Sequence, residues 1–320
     1  MGHDSVTEVT GAVARPRLGV SSCLLGEPVR FNGGHSRCRF LTDDLAPYVD
    51  WVPYCPEMEI GLGAPRETLR LTVEDHLVSR SGGADHTAAM AALPLPAGLD
   101  GYVFKAKSPS CAIHGVPRYA PGGQPSDRRG RGVFAQRVIA GFPLLPAEDE
   151  GRLNDAVLRE AFTERVFAFA RLRVLLGGPW RPRDLVDFHA RHKLQLLAHD
   201  PARYRAAGRI VAAAGGAGRE ATAAAYRDVF QAAMNARASR GRNANALQHA
   251  FSVIGRELGA RRRADLHARI ESYRHGSDPL SVPMAILAHY ASDGALPWLA
   301  GQTYLEPYPA ALGLRHSVPR

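Results

Sequence analysis

The sequence predicts an α/β N-terminal domain, built on an open, mostly parallel, Rossmann-like sheet, followed by an all-α C-terminal domain. Three observations carry this. Short apolar runs over residues 18–20, 51–54 and 102–106 each stop at a Ser- or Pro-containing turn. From residue 153 onward, apolar residues recur at helical spacing instead. Between the two regimes lie Pro143, Pro146 and the acidic run Glu148-Asp149-Glu150, which read as a turn, a solvated patch and a boundary.

The elements follow in order. Residues 1–16 form a small, polar tail expected to be disordered. The first strand ends in the thiol of Cys23. Residues 30–39 are a polar loop with Gly33, Gly34 and Cys38, and residues 41–48 a short helix with Thr42 or Asp43 near its N-cap. The second strand ends at Cys55. The glycines of residues 61–67 let backbone approach a ligand. Residues 68–73 and 76–80 suggest a hairpin, and 87–93 a weak helix. The central strand, 102–106, turns at Ser108-Pro109 just before Cys111. Arg128, Arg129 and Arg131 sit in a mobile basic loop over 124–132, ahead of a helix over 133–140.

Residues 17–150 thus form the α/β domain. A linker helix spans 151–180 and is broken at Gly177-Gly178-Pro179. Residues 181–320 are helical, with helices over 185–199, 222–238, 245–258, 266–273 and 283–292. Their outer faces carry Arg203, Arg205, Arg209, Arg227, Arg237 and the run Arg261-Arg262-Arg263. The aromatic, Pro-rich stretch 298–314 is expected to pack across another element.

Composition narrows the function. The chain has 320 residues, 45% hydrophobic and 22% charged, as soluble globular proteins do. No run reaches the ~18 apolar residues of a membrane span. The first residues lack the apolar core of a signal peptide, so a cytoplasmic location is expected. There, four cysteines serve as ligands, nucleophiles or core residues rather than disulfides. The net charge of +9 is unevenly spread: residues 1–179 balance, whereas 180–275 carry an excess of ten positive charges. Such a block suits a polyanionic partner, although an Arg- and Ala-rich solvated face explains it too.

If the three apolar runs are parallel strands of one sheet, their C-terminal ends share the edge where such sheets bind ligands. Cys23, Cys55 and Cys111 then converge. Three thiolates suit zinc or an iron–sulfur cluster; three buried core cysteines are the plainer alternative. On a 4Fe–4S cube, three ligands leave one iron open as a Lewis acid. Glu57 follows Cys55 by two residues and Ser108 precedes Cys111 by three, so both can move protons beside the thiols. Glu57 also suits a capping or salt-bridging role. Lys105 and Lys107 are two of only three lysines, suited to phosphate steering or to solubility. Cys38 follows no strand and reads as a bystander. His189 and His192 lie at i, i+3 beside Lys193, without a third metal ligand, which favours packing or RNA contact.

Four motifs then resemble the thiouracil desulfidase family, over residues 17–145. They are Gly19-Val20-Ser21-Ser22-Cys23-Leu24-Leu25-Gly26; Gly33-Gly34-His35; Cys55-Pro56-Glu57 with Gly61-Leu62-Gly63-Ala64-Pro65-Arg66; and Lys107-Ser108-Pro109-Ser110-Cys111. The second half resembles the helical domain fused to that family, through residues 185–193, Tyr204 and residues 304–309. The joined architecture resembles bacterial tRNA 4-thiouridine desulfidases. The resemblance implies a 4Fe–4S cluster on Cys23, Cys55 and Cys111 with one open iron, proton handling by Glu57 and Ser108, and tRNA as the partner of the helical half. Cys38 stands where the family usually has an acidic residue. Lys105, Lys107, His189, His192, Lys193, Arg205 and Arg209 are the candidate substrate and RNA contacts. The expected reaction removes sulfur from 4-thiouridine in tRNA, giving uridine and sulfide. The alternatives are a desulfidase of free 2-thiouracil or thionucleosides, a non-catalytic iron–sulfur RNA-binding module, and a zinc hydrolase.

Overall fold

The computed structural model describes residues 14–292 and 296–316. Residues 1–13 of the expected tail lie outside the described residues. In chain order the strands are β1 (Arg17–Ser21), β2 (Asp50–Tyr54), β3 (Leu69–Thr72), β4 (Leu77–Ser79), β5 (Gly101–Phe104), β6 (Val116–Tyr119), β7 (Pro125–Gly130) and β8 (Ala147–Asp149). The α/β half carries α1 (Pro56–Glu59), α2 (Thr87–Ala92), α3 (Val133–Gly141) and α4 (Ala156–Gly177). The rest holds α5 (Pro182–Arg191), α6 (Lys193–His199), α7 (Pro201–Ala213), α8 (Arg219–Asn235), α9 (Arg240–Ile254), α10 (Ala260–His275), α11 (Ser281–Ser292) and α12 (Pro297–Ala300). The expected fold class is therefore the observed one.

One sheet has the order β2-β1-β5-β8, with every neighbouring pair parallel. After β1 the chain steps to one side for β2, then crosses to the other side for β5. The crevice at a reversal like this, outside the C-terminal strand ends, is where open α/β sheets take ligands. A second, mixed sheet, β4-β3-β6-β7, takes β3 and β4 from between β2 and β5 and takes β6 and β7 from between β5 and β8, and it includes the expected hairpin.

Helix α4 joins the halves through both of its faces. Asp155 caps it, accepting from Val157 N (2.9 Å) and Leu158 N (3.0 Å). Phe162, Val166 and Phe167 pack with Leu18, Val20 and Val103 of the parallel sheet. Ala168, Phe169 and Leu172 pack with Leu185, Tyr226 and Phe230 of the helical half. A Cβ on Gly101 would lie 2.5 Å from Val166 Cγ1, so glycine lets the helix approach β5. Arg173 of α4 pairs with buried Asp100 (2.9 Å), which also accepts from Arg17 N (2.8 Å). Tyr308 and Leu314 of the C-terminal stretch join the core of the parallel sheet, packing across it as expected.

Several expectations need correction. The basic loop is strand β7, paired antiparallel with β6; Arg118 grips Asp127 across the pair at 3.0 and 2.7 Å. Cross-strand partners outweigh the poor β propensity of its Pro-Ser-Asp-Arg-Arg-Gly. The acidic patch is not solvated: it is β8, with Asp149 buried and accepting from Ile113 N at 3.0 Å. Residues 40–48 form a π-helical turn, Phe40–Leu45, and a 3-10 turn, Ala46–Tyr48. The helix over 185–199 breaks at His192 into α5 and α6. Helix α7, started by Asp200 and Pro201, was not anticipated.

Burial raises the Asp149 carboxyl to about 6, with Glu150 and Glu148 adding repulsion. A carboxyl raised in the folded state stabilises the fold while protonated, and this contribution is lost as pH rises through about 6. Asp149→Asn keeps an acceptor for Ile113 and removes the charge. The variant's melting temperature relative to the parent is expected to improve between pH about 5 and pH about 8. A pH-independent difference would refute the assignment.

Candidate active site

The C-terminal ends of β1, β2 and β5 deliver the three cysteines to one place. Cys23 lies in a 3-10 turn, Ser22–Leu25, closed by Gly26, whose positive φ of 101° favours glycine. Cys55 follows β2 directly; its carbonyl accepts from Met58 N (3.0 Å) and Glu59 N (3.1 Å), which starts α1 and fixes Glu57 in the first turn. Cys111 lies seven residues past β5. A Cβ on Gly132, at the start of α3, would meet Ser110 C at 2.5 Å, so glycine is what allows α3 to brace the Cys111 segment.

All three thiols line one cavity of about 300 Å³, with Ser21, Glu57, Lys105, Lys107 and Ser108. None is in a disulfide. Burial pushes Cys23 up to about 11, raises Cys55, and raises Cys111 well above the ordinary thiol range. Negative charge on Cys55 would raise Cys23, and charge on either would raise Cys111. Three mutually repelling buried thiolates need a soft cationic group between them, and three sulfurs are the donors such a group selects.

Among the described residues, no group of three His, Cys, Asp or Glu side chains is arranged to hold one metal ion. A zinc ion draws its sulfurs to about 2.3 Å from one centre. An iron–sulfur cube takes thiolate ligands at separate corners, and three thiols on one cavity of about 300 Å³ are the donor type it asks for.

Arg66 holds Glu57, donating twice to Oε2, from Nε at 2.8 Å and from Nη2. Both side chains are shielded from water. Arg66 Nη1 also donates to Val29 O (2.9 Å) and Gly63 O (2.6 Å), and Arg66 N to Phe31 O (2.8 Å). The guanidinium thus ties Glu57 and Val29 of the cavity wall to the glycine loop at Gly63. Ser108 Oγ accepts from Ser110 N (3.2 Å) and Cys111 N (3.1 Å), which leaves its own proton to donate. Lys107 has a left-handed φ of 63°, a strain of about 1 kcal/mol for a non-glycine residue.

Lys105 Nζ pairs with Glu150, which also accepts from Ala106 N, and Lys105 N donates to Ser21 Oγ at 3.0 Å. Arg66, Glu150 and Ser21 are site residues that sequence reasoning missed; only the glycines flanking Leu62 hinted at the loop that positions Arg66. Cys38 is absent from the cavity lining and packs against the core of the parallel sheet.

The helical-half candidates do not reach this cavity. His192 is buried and stacks on Phe188 at 3.9 Å; burial lowers it to about 3. This corrects its candidacy as an RNA contact, because the ring does not meet solvent. His189 stacks on Tyr204 (5.1 Å) and lies 3.1 Å from Tyr226 Oη; burial lowers it to about 4. Both rings are neutral at pH ~7 and serve packing. Lys193 is half-buried, whereas Arg205 and Arg209 are exposed on α7.

Comparison with known proteins agrees with this division. The family described as 2-thiouracil desulfurase matches residues 18–150, and a protein family of unknown function, DUF1722, matches residues 193–309. The uncharacterized protein YbgA of Escherichia coli (strain K12) is 32% identical over 154 residues, 48% of this chain and 91% of its own. The solved structure of the [4Fe-4S]-dependent thiouracil desulfidase TudS aligns at 25% identity with a TM-score of 0.35, covering 46% of this chain and 99% of that one. The chain therefore belongs to the same family as YbgA, with residues 18–150 matching the family described as 2-thiouracil desulfurase and residues 193–309 matching DUF1722.

Proposed function

We propose that this chain removes sulfur from 4-thiouridine in tRNA, releasing uridine and sulfide. One observation carries the reading: three unpaired thiols, a tethered carboxylate and a proton-donating hydroxyl line one cavity at the sheet's switch point. In this reading residues 17–150 do the chemistry, 151–180 connect, and 181–320 grip tRNA. Cys23, Cys55 and Cys111 would hold a 4Fe–4S cluster. When bound with one iron free of protein ligands, it supplies a soft Lewis-acidic site for a thiocarbonyl sulfur.

The chain's own groups handle the protons. Arg66 engages Oε2 of Glu57, so Oε1 is the oxygen that takes a proton from water as its oxygen bonds to C4. The C–S bond then breaks and Ser108 Oγ–H donates toward the departing sulfur. Water supplies the new oxygen and both protons of the released hydrogen sulfide, so the base is neither oxidised nor reduced. The base must leave its stack to enter so small a cavity. Exposed Arg205 and Arg209 on α7 hold phosphates, and affinity falls steeply with salt. Four free thiols suit the reducing cytoplasm, the compartment proposed here.

A second reading, desulfuration of free 2-thiouracil, draws on the cavity's volume of about 300 Å³, at the small end for ligand pockets. The test loads the full chain with iron and sulfide under anaerobic conditions. It then offers tRNA bearing 4-thiouridine and, in parallel, free 2-thiouracil, measuring sulfide release and remaining thiobase. Preferential turnover of tRNA is the expected result. Turnover of the free base alone establishes the second reading, and turnover of neither defeats both.

A further inference from the structure

Strand β7 and the residue after it carry Arg128, Arg129 and Arg131, none of which lines the thiol cavity. Arg129 and Arg131 instead line a second cavity, of about 280 Å³, between β6, β7 and α3. Arg118 of β6, His114 and Gln136 add polar groups to its wall, and Asp75 is the one acidic side chain lining it among the described residues. The two cavities share no lining residue.

The cationic wall is held in place. Asp127 accepts from Arg118 Nε (3.0 Å) and Nη2 (2.7 Å), and Asp75 lies 3.5 Å from Arg118 Nη1. A Cβ on Gly130 would lie 2.9 Å from Arg118 Cγ, so glycine leaves room for the stem of that arginine. Arg131 Nε donates to Ile113 O at 3.1 Å, which fixes its guanidinium. Arg118 is thus shared by two carboxylates, whereas Arg129 and Arg131 form no ion pair among the described residues. A neighbouring ring feels the excess: burial lowers the His114 imidazole, Arg152 lowers it further, Glu148 opposes, and Arg131 adds to the lowering.

Two unneutralised guanidiniums in a concave polar site focus a positive field. Their planar forks match the oxygens of phosphate, two at a time. A flat carboxylate fills one fork, whereas a tetrahedral phosphate has oxygens for both and for the amide of Gln136. We infer that the cavity between β6, β7 and α3 is a phosphate-binding site, with Arg129 and Arg131 taking the anion beside an Arg118 fixed by Asp127. The site stands apart from the desulfuration chemistry, so its test needs no turnover.

Inorganic phosphate is titrated calorimetrically into the full chain in low-salt, phosphate-free buffer. An Arg129→Gln, Arg131→Gln double variant is expected to weaken binding by roughly 10- to 150-fold. Arg128→Gln, exposed on the same strand and outside the cavity, is expected to match the parent. Should the double variant fail to fold, Arg129→Gln alone serves, because that side chain is exposed and in no ion pair among the described residues. The source of the phosphate is read from tRNA binding. Loss of phosphate affinity with a slope of log affinity against log salt flattened by roughly 0.7–0.9 assigns the site to one phosphate of an RNA backbone. The same loss with an unchanged slope assigns it to free phosphate or a small monoester. No phosphate binding by the parent, unchanged binding by the double variant, or an equal loss in Arg128→Gln overturns the site.

Discussion

Cys111→Ala is expected to take up little iron or sulfide and to desulfurate at background rate. Cys111 is buried, packed with Tyr102, Phe104 and Phe134. Its removal leaves two sulfurs, from separate strand ends, around a cavity shaped for three. Removing even the outer partners of a metal ligand typically costs 10- to 100-fold, so loss of the ligand should exceed about 100-fold in rate. The alanine also shortens a buried side chain, so folding must be checked separately. The melting temperature of the metal-free variant should stay close to that of the metal-free parent, because only one small atom is deleted. Cys38→Ala is the matched control: Cys38 is half-buried against the sheet core and outside the cavity, so its variant should load iron as the parent does. Full iron content and rate in Cys111→Ala would end the three-cysteine proposal.

The convergence of these thiols was legible because parallel topology alone dictates it. Once the runs ending at Cys23, Cys55 and Cys111 are read as neighbouring parallel strands, their ends must share an edge. What was not legible depends on partners distant in sequence. β7 lacks alternating apolar residues and exists through its pairing with β6, with Arg118 and Asp127 meeting across it. β8 has three residues, two of them acidic, and is a strand because β5 offers it an open edge. The same blindness hid Glu150, read as solvated but paired with Lys105 under the cavity. His192 ends α5 with no glycine or proline to announce it; its ring Nδ1 lies 2.7 Å from Phe188 O, and its burial removed a residue expected at the surface. Net charge located the Arg-rich half but said nothing of which arginines are already neutralised, a distinction that only geometry makes.

Glu57→Gln should lower kcat by about 10²–10⁴, the usual contribution of general acid–base catalysis, while KM and iron content change little. The amide keeps the size of the side chain and an oxygen for Arg66 but cannot accept water's proton at Oε1. Arg66 has a different task. It touches Glu57 Oε2, Val29 O and Gly63 O, and acts on the reaction only through the carboxylate it holds. Arg66→Met should therefore lower kcat by less than Glu57→Gln does. The decisive measurement is the double variant. If Arg66 works by positioning Glu57, the double variant falls no further than Glu57→Gln alone, since neighbours in one network are not additive. Independent, multiplying losses would instead give Arg66 a role of its own on the substrate. A Glu57→Gln enzyme with parental kcat would remove the carboxylate from the chemistry, and Ser108, whose Oγ is fixed by Ser110 N and Cys111 N, would remain as the sole proton-handling group proposed at the cavity.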